Sequence, residues 1–223
     1  AGDAKLWNHT AEIIEAAPRN PKIPKERLWI AVWLLVEDAR KANQTEEAAR
    51  LLQRLNPLIS RTNTDYALRF DWQRALIALA NRDPSTAARL ADDIARRLDD
   101  LPADASSELK VNAPKLRGHV ALLKARTALG VEPGKGLADL EALRKKYGKV
   151  PATASSYLVE GRHLAALGRH AEAQARFLAL FKDFTGDATL SEFAELGLYE
   201  AAEEAARQAP VDGEEKLKEA LEN

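Results

Sequence analysis

His163 and His170 stand seven residues apart, near enough in sequence to suggest a shared metal, but Gly168 lies between them and puts them on separate helices. Two histidine ligands on one helical face need a four-residue step, so this spacing builds no metal site. His119 belongs to a third helix. The carboxylate pairs Asp92-Asp93 and Glu203-Glu204 are sequence neighbours that point to different helix faces, so neither makes an acid/base couple by itself. Arg144, Lys145, Lys146 and Lys149 could meet phosphates. A solvated helix end is the plainer expectation for this cluster, because positive charge there also suits the helix dipole. No glycine-rich phosphate loop, Gly-x-Ser-x-Gly elbow or His-Glu-x-x-His occurs. With no cysteine, disulfides and thiolate metal sites are excluded. The sequence therefore leads to no expected catalytic residue, metal or cofactor. The Asn-x-Thr sites at Asn8 and Asn43 fall at helical positions that have structural explanations.

The elements that carry these residues read as helices throughout. From Ala154 to Asp187, Tyr157, Leu158, Gly161, Leu164, Ala165 and Leu167 recur at three- and four-residue steps, giving one apolar face. Gly168 can take the left-handed conformation that ends a helix. A second helix over 170–184 places Ala173, Phe177, Leu180 and Phe181 on one side. Two such helices pack antiparallel, and the small residues Gly161 and Ala173 mark where they approach closely. Each pair leaves an apolar face that only a neighbouring pair can cover.

This stretch resembles a tetratricopeptide repeat, a helix-turn-helix unit of about 34 residues. Tyr157 and Phe177 match its two aromatic positions, Gly161 and Ala173 its two small ones, Leu164 a large one, and Gly168 its turn. Two departures are Glu160, where the repeat usually has Leu, and the absence of a closing proline. A hairpin that ends in Phe-Lys-Asp-Phe and leads into a small-residue helix also resembles repeats of bacterial cell-envelope proteins. The resemblance implies an all-α fold, an α-α superhelix of hairpins stacked as a solenoid.

An amphipathic helix is expected over 3–17, with Leu6, Thr10, Ile13, Ile14 and Ala17 on one face. Pro18, Pro21 and Pro24, interleaved with Arg19, Lys22 and Lys25, predict a stiff polyproline linker that sets this helix as a cap. A Pro-x-x-Pro ligand is the alternative. Helix 26–42 carries LWIAVWLLV and is expected to be buried all round. Asn43 can serve as Gly168 does, with Thr45 capping the next helix. Asp83-Pro84 signals a helix start. A longer pair follows, its first helix beginning at Ser106 or Pro114 and ending at Gly130. Thr189 with Glu192, and Asp212 with Glu215, read as capping boxes. The domain reading is a capping helix and linker over 1–24, then a repeat domain over 25–223. Its hairpins fall at about 26–58, 64–100, 106–148, 152–185 and 189–222. Ala48, Ala87, Ala138 and Ala173 are taken as equivalent positions.

In tetratricopeptide arrays the first helix of each pair lines a concave groove. Carrying the register across, one groove position holds Trp33, Trp72, Lys115 and Leu158, and the next turn holds Glu37, Leu76, His119 and Arg162. Two tryptophans in equivalent register could hold apolar side chains of a peptide, and Lys115 and Arg162 could hold a carboxylate. The alternative is that Trp33 and Trp72 are core residues. The Lys and Asn set of the family's carboxylate clamp is not matched. The partner-binding candidates are Trp33, Glu37, Trp72, Lys115, His119, Leu158 and Arg162.

Lys+Arg of 33 against Asp+Glu of 34, a net charge of −1, leaves no bulk field for nucleic acid or membrane. The longest apolar run, Leu28 to Val36, is far short of the roughly 20 residues that span a bilayer, so a soluble chain is expected. The absence of Met and the alanine at position 1 suit an exported chain whose signal peptide has been removed. A periplasmic or otherwise exported compartment is expected on that ground, with a cytoplasmic one the alternative. The function reading is a non-catalytic scaffold that binds a protein or peptide, in a cell-envelope assembly. Two alternatives stand beside it: an all-helical enzyme or enzyme accessory domain, and a helical-repeat nucleic-acid binder.

Overall fold

The computed structural model describes residues 2–20, 22–59, 64–103 and 105–208. Ten α-helices account for most of them: α1 (Gly2–Ala16), α2 (Lys25–Lys41), α3 (Thr45–Leu55), α4 (Thr64–Ala80), α5 (Pro84–Asp99), α6 (Ser107–Val131), α7 (Pro133–Tyr147), α8 (Pro151–Ala166), α9 (His170–Phe184) and α10 (Ser191–Gln208). No strand occurs among the described residues. The expected final helix around Asp212 and Glu215 and the linker residue Pro21 lie outside them.

Three hairpins turn in the same way. Asn43 (φ 58°), Arg82 (φ 59°) and Gly168 (φ 73°) each hold the left-handed conformation that ends the first helix of a pair. In each, the next residue's N–H reaches back five residues to a helix carbonyl: Gln44 to Ala39, Asp83 to Ala78, Arg169 to Leu164. That 6→1 bond is the Schellman closure, which satisfies orphan carbonyls at a helix end. The following helices begin with a bond from Ala48 to Gln44, Ala87 to Asp83 and Ala173 to Arg169. All three alanines are fully buried. Only at Asp83 does a side chain cap, accepting from Thr86 N–H at 3.0 Å. Gln44, not Thr45, is the N-cap of α3 and makes no side-chain cap bond, because the backbone closure already fixes where that helix starts.

Elsewhere the structure corrects the reading of the sequence. On α1 the buried residues are Trp7, Ala11 and Ile14, while Leu6 and Ile13 face solvent. Trp7 sets this rotation, its indole donating to Asp38 of α2 at 2.7 Å. Pro18 lies in a short 3-10 turn, Ala17–Arg19, rather than an extended linker; proline fixes φ at a value that serves either conformation. The apolar run of α2 is not buried all round, since Ile30 and Leu34 are exposed. In α7 the buried small residue is Gly136, not the exposed Ala138. Asp187 rather than Thr189 organises the approach to α10, accepting from the backbone N–H and hydroxyl of Thr189. At α6 the earlier start holds: Ser106 Oγ accepts from Leu109 N–H at 3.0 Å, and Pro114 is inside the helix.

The chain forms two compact units, residues 1–131 and 132–223. In the first, one apolar cluster joins α1, α2 and α3 around Trp29, Val32, Val36 and Leu51, and a second joins α4, α5 and α6 around Leu90, Ile94, Leu98 and Leu123. In the second unit, Phe177 of α9 is the centre. A Cβ at Gly161 of α8 would lie 2.4 Å from the Phe177 ring, and one at Gly197 of α10 would lie 2.9 Å from the Phe177 carbonyl. Glu160, the departure from the repeat pattern, is buried between Arg144 Nη2 at 2.6 Å and Arg176 Nε at 2.7 Å. Arg144 also lies over the Tyr157 ring at 4.7 Å, so it is part of the packing and not a solvated helix end.

Candidate recognition cavity in the first unit

A cavity of about 480 Å³ opens among α2, α4, α5 and α6. Its floor is apolar, made by Leu68, Ile94, Leu98, Leu109 and Val120, all buried. Trp33 and Trp72, both half-buried, form its walls. They differ from the core tryptophans Trp7 and Trp29, which are 4% and 5% exposed. Trp33 and Trp72 each lie ten residues before the left-handed residue of their own hairpin, Asn43 and Arg82, so the repeated turn places two indoles alike.

His119 of α6 meets Trp72 edge to face, with ring centroids 6.3 Å apart. Burial lowers its pKa below the usual 6.5. Neutral pH therefore finds an uncharged imidazole, consistent with an apolar wall. Lys115, one turn before His119, stands exposed at the rim. Asp65, Arg69, Glu108 and Asn112 complete that rim. Arg69 lies 3.8 Å from Glu108 across α4 and α6, and Asp65 accepts from the Ser106 hydroxyl. These four are absent from the sequence candidates, yet they follow from helical spacing. Arg69 and Asp65 precede Trp72 by three and seven residues, and Asn112 and Glu108 precede His119 by seven and eleven.

Four of the seven sequence candidates, Trp33, Trp72, Lys115 and His119, thus line one cavity. Glu37 does not line it. One turn along α2, Glu37 accepts from Arg40 at 3.0 and 3.3 Å and from the buried Gln73. Burial alone would raise its pKa, but these bonds outweigh burial and hold it below the ordinary carboxylate value. Leu158 and Arg162 belong to the second unit. Leu158 is buried with Ala154 and Phe177, and Arg162 is tied to Glu200 of α10 at 2.9 Å.

His9 lies 3.6 Å from Glu12, whereas the buried Nε2 of His163 has no hydrogen-bond partner among the described residues. His170 Nδ1 lies 2.7 Å from the carboxylate of Glu204, which is 1% exposed and also accepts from Arg207. Among the described residues no group of three or more His, Asp or Glu is arranged to hold a metal ion, and no helix is long and apolar enough to cross a membrane. No family model, curated protein or solved structure matches the chain.

Proposed function

We propose that the first unit is a non-catalytic binding module that takes an apolar side chain of a peptide or protein segment between Trp33 and Trp72. The observation that carries this reading is the pair of half-buried indoles, set in equivalent register by two matching turns, over one apolar cavity. Tryptophan supplies a large contact area with few rotamers to freeze, which is why it dominates interface energetics. A volume of about 480 Å³ is in the range of pre-formed ligand sites, roughly 300–1,000 Å³. The three matching turns and fully buried alanines support reading the hairpins as degenerate tetratricopeptide-type units, stacked as a superhelix around such a groove.

Selection of a displayed random-peptide library on the full chain tests this reading. Enriched peptides should share an aromatic or aliphatic anchor and lose at least tenfold in affinity against Trp33→Ala and Trp72→Ala, with helicity unchanged by circular dichroism. Peptides that bind both variants as tightly as the parent chain would place recognition elsewhere.

A further inference from the structure

The four tryptophans divide into two pairs by what their indole N–H groups meet. In the core pair, Trp7 donates to Asp38 at 2.7 Å and Trp29 to the Leu58 carbonyl at 2.9 Å. In the cavity pair, Trp33 and Trp72, neither N–H has a hydrogen-bond partner among the described residues, and water reaches both nitrogens. An indole N–H donates and never accepts. Each tryptophan wall therefore brings a donor in need of an acceptor.

The acceptors of the cavity stand elsewhere. The floor residues Leu68, Ile94, Leu98, Leu109 and Val120 have none on their side chains. At the rim, Asp65 accepts from the Ser106 hydroxyl and Glu108 faces Arg69 at 3.8 Å. Asn112 is also at the rim, and the wall adds one ring nitrogen of His119. Charge on the lining balances, the carboxylates of Asp65 and Glu108 against the cations of Arg69 and Lys115. An occupant that suits this lining is apolar and uncharged, offers carbonyl acceptors, and brings no N–H donor to the floor. A peptide main chain ordinarily fails the last condition, because each residue carries an N–H that is costly to bury unpaired. Proline alone brings a carbonyl and no N–H.

Resting on the binding reading above, we infer that the occupant is an uncharged, proline-rich peptide segment. A proline ring seats between Trp33 and Trp72, and main-chain carbonyls beside it accept from the two indole N–H groups. Successive prolines hold the polyproline II conformation without internal hydrogen bonds, so the carbonyls stay free and little order is lost on binding.

The probes are fluorescein-labelled peptides of Gly and Ser, blocked at both ends, with Pro-Pro-Ser-Pro at the centre. A second peptide has Leu at the proline positions and a third has Ala. A fourth has N-methylalanine, which lacks the N–H as proline does but has no ring. Fluorescence anisotropy with the full chain should rank Pro above Leu and Ala by roughly tenfold, the penalty of an unpaired buried N–H, with N-methylalanine in between. Binding of the Pro peptide should change little up to about 0.5 M NaCl, since no ion pair forms. Trp33→Phe and Trp72→Phe keep an aromatic wall and remove the donor. Each should weaken the Pro peptide roughly threefold to tenfold, with helicity unchanged by circular dichroism. A Leu peptide bound as tightly as the Pro peptide, and still lost on Trp72→Ala, overturns the proline assignment and leaves the binding reading intact. Phe variants that hold the Pro peptide as tightly as the parent chain overturn the indole hydrogen bonds in the same way. No binding of any probe at millimolar peptide overturns both.

Discussion

Asn43 and Arg82, 39 residues apart, hold the same left-handed backbone conformation, with φ of 58° and 59°. Asparagine is tolerated there through its short polar side chain, whereas a long side chain with a Cβ costs roughly 1–2 kcal/mol. Arg82→Gly should therefore stabilise the chain by about 1 kcal/mol, and Gly168→Ala should destabilise it by about the same amount or more. Urea denaturation of the two variants checks both signs. A destabilised Arg82→Gly would mean that the arginine side chain makes a contact worth more than its backbone strain.

Gly161 has no room for a methyl group, since a Cβ there would meet the fully buried Phe177 ring at 2.4 Å. Gly161→Ala should cost about 1–3 kcal/mol through overpacking. Phe177→Leu in the same chain should make the second substitution cheaper than it is alone. A double-mutant cycle with no coupling between the two positions would show that the helices simply move apart.

Glu160 lies within ion-pair distance of both Arg144 and Arg176, and Arg144 is itself 11% exposed. Glu160→Gln leaves that guanidinium buried without its counter-charge and should cost about 3 kcal/mol. The surface pair Arg54–Glu15, at 2.6 Å, has geometry as good. Glu15→Gln should nonetheless cost much less, because water screens exposed pairs. Comparable losses from the two variants would contradict the assignment of burial as the deciding factor.

Two groups should titrate away from their ordinary values, in opposite senses. Burial lowers the His119 pKa in the folded chain, so its contribution to stability is present above 6.5 and is lost as pH falls through the lowered value. His119→Phe should flatten the stability profile below pH 6.5. Burial, then the hydrogen bond to Asp183, raises Tyr157 to about 12. Its contribution is present below pH 10 and is lost as pH rises through about 12. Nuclear magnetic resonance titration of His119 and ultraviolet titration of Tyr157→Phe against the parent chain would reveal either group titrating normally.

The helices were legible because periodicity and punctuation agree: Gly168 and Asp83-Pro84 mark turns by backbone chemistry that acts locally. Arg82 was not legible, since nothing local distinguishes an arginine that a Schellman closure forces into the left-handed region. The rotation of α1 was missed for a related reason. Leu6, Ile13 and Ile14 outweigh Trp7 and Ala11 in a count of apolar side chains, but the bond from Trp7 to Asp38 is made 31 residues away. Trp33 and Trp72 could be aligned from the sequence, whereas their half-burial depends on how α4 and α6 meet. The ion pair of Glu160 with Arg144 was hidden because sixteen residues and a turn separate the partners. Charge near a helix C-terminus reads as solvated until the neighbouring helix is in place.

Pro114 divides α6 unevenly. It offers no N–H to the carbonyl one turn before it, and its ring presses against that turn, so the rod is weakest there. Glu108, Leu109 and Asn112 precede the weak point, while Leu116, His119 and Val120 follow it. The proline thus interrupts the hydrogen-bond ladder within the cavity wall itself, with rim residues (Asn112, Lys115) and floor residues (Leu109, Val120) on both sides of it.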